Sequence, residues 1–380
     1  MSANSEASRL SHRLRVLHLI DNLNYGGMER VLVDLVRRLA KDHYECHVIG
    51  LTYLGQFAKG LESAAALQVA EPMSSLSMLW PRGLARQIRR IGPDVVHSHS
   101  GVWYKGSLAS RLAGVRRIIH TDHGRPQPDP WTGRFLERIA LARTDVVVAV
   151  SEPLAELLVH RIGVSPRKLV VVHNGVDTDI HRPRPDGGQI RRELGLSRDT
   201  PVLGSIGRLE PIKGYDIMLE AFGRLWGDWN QTPRPVLVIA GDGSEQARLS
   251  ALADRAGFRE GVRLLGWRDD VAELHASFNL FTLASRSEGT SISLLEAMSS
   301  GVCPVVTDVG GNAGVLGPGL AHRLVRPNDP DALAASWRAA LQDTEARFRD
   351  AEAARQRVLS KFGIDAMVEA YERLYLGASS

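Results

Sequence analysis

The sequence predicts an α/β protein built from two doubly wound parallel sheets facing a cleft. Three observations carry this expectation. The chain has 380 residues, too many for one ordinary core and suited to two domains of somewhat under about 200 residues each. Short β-branched runs alternate with helical segments along its length, the pattern of parallel βαβ units. Several of these runs are apolar throughout, as strands covered by helices on both faces must be.

In the first half the runs fall at residues 15–20, 46–51, 94–97, 117–121, 145–150 and 169–173. A polar stretch with Pro and Gly follows at residues 179–188, which places the hinge near residue 180. A second series begins after it, at residues 202–206, 235–240, 262–265, 280–283 and 303–307. Residues 1–180 and 181–362 are thus expected to form one domain each. From Asp329 onward helical patterns dominate, ending at residues 364–376, where Met367, Val368, Tyr371, Leu374 and Tyr375 follow helical spacing. Residues 363–380 are expected to form a terminal helix that crosses back to the first domain. In doubly wound sheets ligands bind outside the carboxyl ends of the strands, so the loops that follow strands are the places to search.

Composition narrows the class. Hydrophobic residues make up 44% and charged residues 24%, ordinary for a soluble globular chain, which excludes disordered and fibrous classes. The two cysteines, Cys46 and Cys303, give neither a disulfide framework nor a thiol metal cluster, and point to a reducing cytosol. The first twelve residues are polar without a signal peptide's apolar core, and no apolar run approaches the roughly 20 residues of a membrane span. A cytoplasmic protein that touches a membrane only from its surface is expected. The Asn230-Gln231-Thr232 sequon then has no consequence. Residues 1–180 carry 23 Lys and Arg against 17 Asp and Glu, and the remainder 24 against 26. Arg82, Arg86, Arg89 and Arg90, on a helix expected to begin near Pro81, offer either a solvated face or a surface for anionic lipid. No nucleic-acid partner is expected.

Three loops carry chemistry. The first strand leads to Gly26-Gly27-Met28-Glu29 and then to an amphipathic helix with Val31, Leu32, Leu35, Val36 and Leu39. Two glycines at a helix start let the backbone approach a ligand closely, and the helix dipole favours an anion there, although a tight turn has the same residues. Neither a GxGxxG fingerprint nor a Walker loop is present. The run at 202–206 ends in Gly207-Arg208-Leu209-Glu210-Pro211-Ile212-Lys213-Gly214. Arg208 and Lys213 can hold two phosphates, one as a fork and one as a point charge, unless Arg208 is held by Glu210. The third loop is Glu288-Gly289-Thr290-Ser291-Ile292-Ser293-Leu294-Leu295-Glu296. If Thr290 caps a helix, Glu296 lies on its first two turns while Glu288 stays in the loop, and both carboxylates can face one ligand.

These motifs, in this order, resemble the retaining glycosyltransferases of family four, the glycosyl transferases of group 1. The resemblance covers essentially the whole chain, including His173-Asn174-Gly175-Val176-Asp177 and Ala240-Gly241-Asp242-Gly243. It implies the GT-B fold of two Rossmann-like domains, a first domain that receives the acceptor and a second that binds the nucleotide sugar. It implies that Gly26 and Gly27 meet the donor diphosphate and that Arg208 and Lys213 bind its phosphates. Glu288 would contact the transferred sugar and Glu296 the ribose hydroxyls. The amides of Gly289, Thr290, Ser291 and Ile292 would help hold the phosphates, with the base near Asp242 and Leu265–Trp267. His123, in Thr121-Asp122-His123-Gly124, matches a family histidine near the sugar and acceptor. The resemblance further implies a metal-independent hexosyltransferase that retains anomeric configuration, with a UDP- or GDP-sugar as donor substrate and no cofactor. A glycan or lipid-linked acceptor is expected, in exopolysaccharide or cell-surface glycan synthesis on the inner membrane.

Some positions depart or compete. The loop Gly310-Gly311-Asn312-Ala313-Gly314 has glycine where many relatives carry a glutamate, so the resemblance assigns it no supporting role. Asp177-Thr178-Asp179 mimics a metal-binding DxD signature but belongs to the Asn-Gly-Val-Asp segment at the hinge. His97 and His99 stand two apart with no third metal ligand suggested, and are expected to line the acceptor cleft. His99, Trp103 and Tyr104 are the acceptor candidates, together with Trp131 and the loops around residues 53–57, 100–105 and 125–131. Two alternatives remain at this stage: a nucleotide-sugar 2-epimerase of the same fold, and a catalytically silent nucleotide-sugar-binding subunit.

Overall fold

A computed structural model of the chain describes residues 13–24, 26–72, 80–124, 131–184, 187–255 and 257–377. The polar residues 1–12, the candidate acceptor loop at 125–130 and the Trp131 side chain lie outside them. Contacts divide the chain into two compact units, Met1–Asn174 with Asp365–Ser380, and Gly175–Ile364.

The sheet of the first unit has seven strands: β1 (Leu14–Ile20), β2 (Tyr44–Gly50), β3 (Ala65–Val69), β4 (Val95–His99), β5 (Arg117–Asp122), β6 (Val146–Ala149) and β7 (Leu169–Val171). Their order is β3-β2-β1-β4-β5-β6-β7, and every pair is parallel. The chain runs outward from β1 in one direction, then returns to start again at β4. Side chains alternate between the two faces of each strand. Leu17, Leu19, Val96 and Ile118 pack on one face with Leu84, Ala85 and Ile88 from the helix Arg82–Ile91. The other face carries His18, His97, His99 and Thr121, all buried. It is covered by the last helix, Ile364–Leu376, whose Tyr375 hydroxyl lies 2.8 Å from His97 Nδ1 and whose Tyr371 hydroxyl lies 3.2 Å from Thr121 Oγ1. Arg117 Nε donates to Leu374 O at 2.6 Å and Arg38 Nη1 to Asp365 Oδ1 at 2.7 Å, which fixes the helix at both ends.

The second unit has six strands: β8 (Val202–Ile206), β9 (Val236–Ala240), β10 (Val262–Leu264), β11 (Leu280–Leu283), β12 (Cys303–Thr307) and β13 (Leu324–Val325). The order is β10-β9-β8-β11-β12-β13, again all parallel. One face packs on Phe222, Leu225 and Trp337. The other packs on Leu294, Leu295, Met298 and Val358. Trp337 is completely buried, and its indole N–H donates to Thr282 Oγ1 at 3.0 Å, which satisfies the one polar atom that burial would otherwise orphan. The helix Pro330–Gln342 starts where the Asp329 carboxylate accepts from Ala332 N at 2.9 Å. The short strands β3 and β13 have no counterpart in the sequence reading. Among the described residues, no helix is long and apolar enough to cross a membrane.

Candidate functional site

The second sheet reverses direction between β8 and β11, its two central strands. In a doubly wound sheet the crevice at that reversal is where a ligand binds. The loop after β8 carries Arg208 and Lys213, and the loop after β11 carries Ser285 and Glu288. The two loops meet. Lys213 Nζ donates to Glu288 Oε1 at 2.7 Å and to Oε2 at 2.9 Å, and Ser285 Oγ donates to Oε1 at 2.6 Å. The Glu288 side chain is 7% exposed and Lys213 20%, so this pair is shielded from bulk water far more than a surface ion pair.

The backbone makes this meeting possible. Gly214 has φ +64, and a Cβ there would lie 2.1 Å from Ala284 O, so the turn that presents Lys213 admits glycine alone. Arg286 braces the same turn from the loop after β11: its backbone N donates to Ile212 O at 2.8 Å, and Nη1 to Pro211 O at 2.6 Å. On the other side, Leu209 N donates to Asp242 O and Glu245 N to Leu209 O, both at 2.9 Å, lacing the β8 loop to the loop after β9. Asp242 is exposed there, and Leu265 is half-buried beyond the end of β10.

Arg208 is exposed and, among the described residues, makes no side-chain hydrogen bond or ion pair. Glu210 does not hold it. Its Oε1 accepts from Ser244 N at 3.2 Å and its Oε2 from Ser244 Oγ at 2.7 Å. Those hydrogen bonds, and to a lesser degree the charge of Arg208, keep the Glu210 carboxyl below the usual carboxylate range. One cation is therefore anchored and the other open to an anion.

The helix after Glu288 runs from Ile292 to Ser299. Its cap is Ser291 rather than Thr290, for the Ser291 hydroxyl accepts from Leu294 N at 3.4 Å. Shifting the cap by one residue leaves Glu296 on the second turn, where it is half-buried and its Oε1 lies 3.4 Å from His181 Nε2. Helix starts leave backbone N–H groups without intrahelical partners, and Gly289 to Ile292 lie at this one. The loop at Gly310 supports the turn by close approach. Gly310 has φ +53, and a Cβ there would lie 1.8 Å from Glu288 O. Gly311 N donates to Gly289 O at 2.8 Å. Gly310→Ala is accordingly expected to displace Glu288 and to cost about 1–3 kcal/mol of stability, read by thermal unfolding.

In the first unit Gly26 and Gly27 stand after β1, and Gly27 opens the helix Gly27–Arg38. A Cβ on Gly26 would lie 2.1 Å from Glu29 Oε2, so the carboxylate at N3 needs the missing side chain. His123 follows β5. Its Nε2 lies 3.1 Å from His99 Nδ1, and His99 Nε2 lies 3.2 Å from His18 Nδ1.

The pattern of the family described as glycosyl transferases group 1 matches residues 187–357, and that described as glycosyltransferase family 4 matches residues 25–180. A D-inositol 3-phosphate glycosyltransferase of Geodermatophilus obscurus is 31% identical over 84% of this chain and 78% of its own length. This chain belongs to the glycosyl transferases of group 1. An N-acetyl-alpha-D-glucosaminyl L-malate synthase of Bacillus anthracis is 27% identical over 92% of this chain and 93% of its own length. A UDP-Gal:alpha-D-GlcNAc-diphosphoundecaprenol alpha-1,3-galactosyltransferase of Escherichia coli is 30% identical, and there the match spans 63% of this chain and 64% of that enzyme. The fold is likewise that of Anabaena HepE solved with UDP and glucose, with TM-score 0.82 and 22% identity, covering 95% of this chain and 99% of that one. Two parallel-sheet, Rossmann-like units of the GT-B class are therefore the architecture of this glycosyltransferase.

Three expectations for the glycosyltransferase's first unit need correction. Trp103 is no stacking platform: it is 2% exposed, its ring lies 4.2 Å from that of His120 at an interplanar angle of 4°, and Nε1 donates to Thr144 Oγ1 at 2.9 Å. An indole starting a helix over the sheet buries its large apolar area in the core. His97 and His99 do not line an open cleft, being 0% and 1% exposed under the terminal helix. A third histidine does stand beside them, since ligand atoms of His18, His97 and His99 lie within 4.8 Å of one another. Tyr104 is half-buried, packed against the core around Ala140 and Leu154. Sequence reasoning missed Arg286, His181 and Ser285, whose contacts join loops far apart in the chain and leave no local signal.

Proposed function

We propose that this glycosyltransferase moves a sugar from a nucleotide diphosphate sugar to a glycan or lipid-linked acceptor, with retention of configuration and without a metal. The observation that carries the reading is the meeting of Lys213 and Glu288 at the reversal of the second sheet, beside an exposed Arg208. A departing nucleoside diphosphate needs positive charge where its oxygens gain negative charge, and preorganised cations supply that without reorganising water. Arg208 binds the diphosphate as a fork. Lys213, held in place by Glu288, adds a point charge. The amides from Gly289 to Ile292 add donors at a helix start. Glu288 faces the transferred sugar and Glu296, backed by His181, the ribose hydroxyls; the base rests near Asp242 and Leu265. Gly26 and Gly27 are donor-binding residues, and the first unit takes the acceptor. The acceptor oxygen bonds to the anomeric carbon as the carbon–phosphate-oxygen bond breaks, and its proton passes to the departing phosphate oxygen on the same face. That route retains configuration without an enzyme nucleophile.

The relatives' names agree with a nucleotide sugar and a lipid-linked or small polyol acceptor: one names UDP-Gal and a diphosphoundecaprenol, another D-inositol 3-phosphate. A putative glycosyltransferase EpsF of Bacillus subtilis, 26% identical over 83% of this chain, favours the exopolysaccharide setting. Incubation with UDP- and GDP-sugars and lipid-linked acceptors, followed by product analysis, tests the reading. A glycosylated acceptor supports it; nucleotide release with epimerised free sugar, or donor binding with no turnover, refutes it. Glu296→Ala is expected to weaken donor binding at least tenfold, about 1.4 kcal/mol, with a smaller effect on turnover of bound donor. Steady-state kinetics with donor as the varied substrate check this.

Membrane docking through the helix Arg82–Ile91 is part of the same proposal. Arg86 and Arg90 are exposed, with Arg90 2.6 Å from Glu71, so their charge is partly compensated. Vesicles containing anionic lipid are expected to bind the protein at low salt and release it at high salt. Equal affinity for neutral vesicles would contradict docking by charge.

A further inference from the structure

His181 sits where a short turn of the second unit meets the helix Ile292–Ser299. Asp177 closes the turn: its Oδ1 accepts from Asp179 N at 3.0 Å and Ile180 N at 3.1 Å, and its carbonyl accepts from His181 N at 2.9 Å. Two residues of the helix then grip His181. Glu296 and Ser299 stand three apart and so share one helix face. Ser299 Oγ donates to His181 O, and Glu296 Oε1 lies 3.4 Å from His181 Nε2. Leu294, Leu295 and Met298 turn the other way, into the core, which fixes the rotation of the helix about its axis.

The ring of His181 is held as firmly as its backbone. It meets the ring of His275 edge-on, 6.1 Å away at 62°, and His275 packs edge-on against Phe278 at 6.0 Å and Phe281 at 5.7 Å. The His181 side chain is 4% exposed and that of Glu296 12%, so water screens their contact little. An ionised carboxylate only accepts hydrogen bonds, so His181 Nε2 carries the proton that lies between them. A glutamate side chain has three rotatable bonds, and ordering them opposes any binding that needs the carboxylate in one place. A partner that orders it beforehand removes that opposition.

We infer that His181 is a positioning residue for the ribose: by holding the Glu296 carboxylate, it makes the donor site select ribonucleotides over deoxyribonucleotides. This rests on the proposed function, which puts Glu296 at the ribose hydroxyls. A site that hydrogen-bonds a hydroxyl rejects the analogue lacking it, because the site's buried group is then left unpaired. Once His181 releases Glu296, the carboxylate turns to water. The selection is lost, while the contacts to the base and the diphosphate stay.

Calorimetry of the full chain with UDP and GDP, and with their 2′-deoxy and 3′-deoxy forms, tests the inference. The wild type is expected to bind one ribonucleotide at least about tenfold more tightly than its deoxy forms. His181→Phe keeps a ring against His275 and removes the N–H. It is expected to bring the ribonucleotide down to the affinity of the deoxy forms, leaving theirs unchanged. His181→Gln places an amide N–H near the Nε2 position and is expected to restore the preference. Glu296→Ala is expected to erase the preference, with no further change when His181→Phe is added, because one residue acts through the other. A purely structural role would weaken ribo and deoxy forms equally. That outcome, or a preference that survives in His181→Phe, overturns the inference. Thermal unfolding checks each variant, and His181→Asn, which has no group at the Nε2 position, replaces His181→Phe if the latter does not fold. Wild-type protein that binds neither UDP nor GDP would refute the proposed function, and the inference with it. A preference that depends on Glu296 but not on His181 would overturn the inference alone.

Discussion

Arg208→Ala is expected to lower turnover at least about a hundredfold while leaving the melting temperature unchanged. Each preorganised donor at a developing charge contributes on that scale. Arg208 is exposed and has no partner among the described residues, so its removal breaks nothing in the unliganded fold. Lys213→Ala is expected to lose as much activity and, in contrast, to lower stability. It would leave Glu288, 7% exposed, with Ser285 as its remaining side-chain donor, and removing one partner of a buried ion pair costs up to roughly 3–5 kcal/mol. Both cations stand in loops, and from sequence alone both substitutions would spare the fold; the ion pair separates them. Product formation and thermal unfolding of the two variants, measured side by side, check this. Unchanged turnover in either variant would remove that cation from the phosphate site.

Acid is expected to destabilise the protein well above the pH at which carboxylates titrate. The folded pKa of His18 is lowered to about 3 from 6.5, chiefly by burial, and His97, His99, His123 and His275 are shifted in the same direction. The unfolded chain therefore binds protons that the folded chain refuses. These rings contribute stability that is fully present above pH 6.5 and lost as pH falls toward 3. His18, completely buried, contributes up to about 1.4 kcal/mol per pH unit in that window. The groups it meets on its sheet face are the rings of His97, His99 and Tyr375, which are neutral and do not stabilise an imidazolium by charge. Unfolding free energies measured between pH 7 and pH 5 are expected to fall steeply, and less steeply in His18→Asn. Constant stability over that range would mean that the histidines remain hydrated.

The two sheets were legible because short β-branched runs alternate with helical segments and several of those runs are apolar throughout, as strands covered on both faces are. Strands β8, β11 and β12 have the bounds the sequence suggested. Strand β3, Ala65–Val69, escaped notice because its alanines and glutamine carry little β preference and its burial comes from pairing with β2. Strand β13 has two residues, too few for any periodicity. The donor-site residues stood out because each follows a strand at its carboxyl end. What the sequence did not show is which of them touch. Lys213 and Glu288 are 75 residues apart and meet because β8 and β11 are neighbours across the reversal. The cap moved from Thr290 to Ser291 because two adjacent hydroxyl residues are equally good candidates locally. His18 read as one polar residue within a strand; its place beside His97 and His99 follows from the register of β1 on β4. Trp103 read as an acceptor platform because an indole's type does not say which way the helix turns it.

The most direct test of the central claim is calorimetry of the purified protein with nucleoside diphosphates and their sugars, with and without chelator, accompanied by thermal shift. A ligand that binds the folded state raises its apparent stability by mass action. The account predicts selective binding of one nucleoside diphosphate and its sugar, undiminished by chelator and lost in Arg208→Ala. Binding that disappears with chelator would contradict the metal-free site, and no binding by any of the nucleotides would contradict the donor site itself.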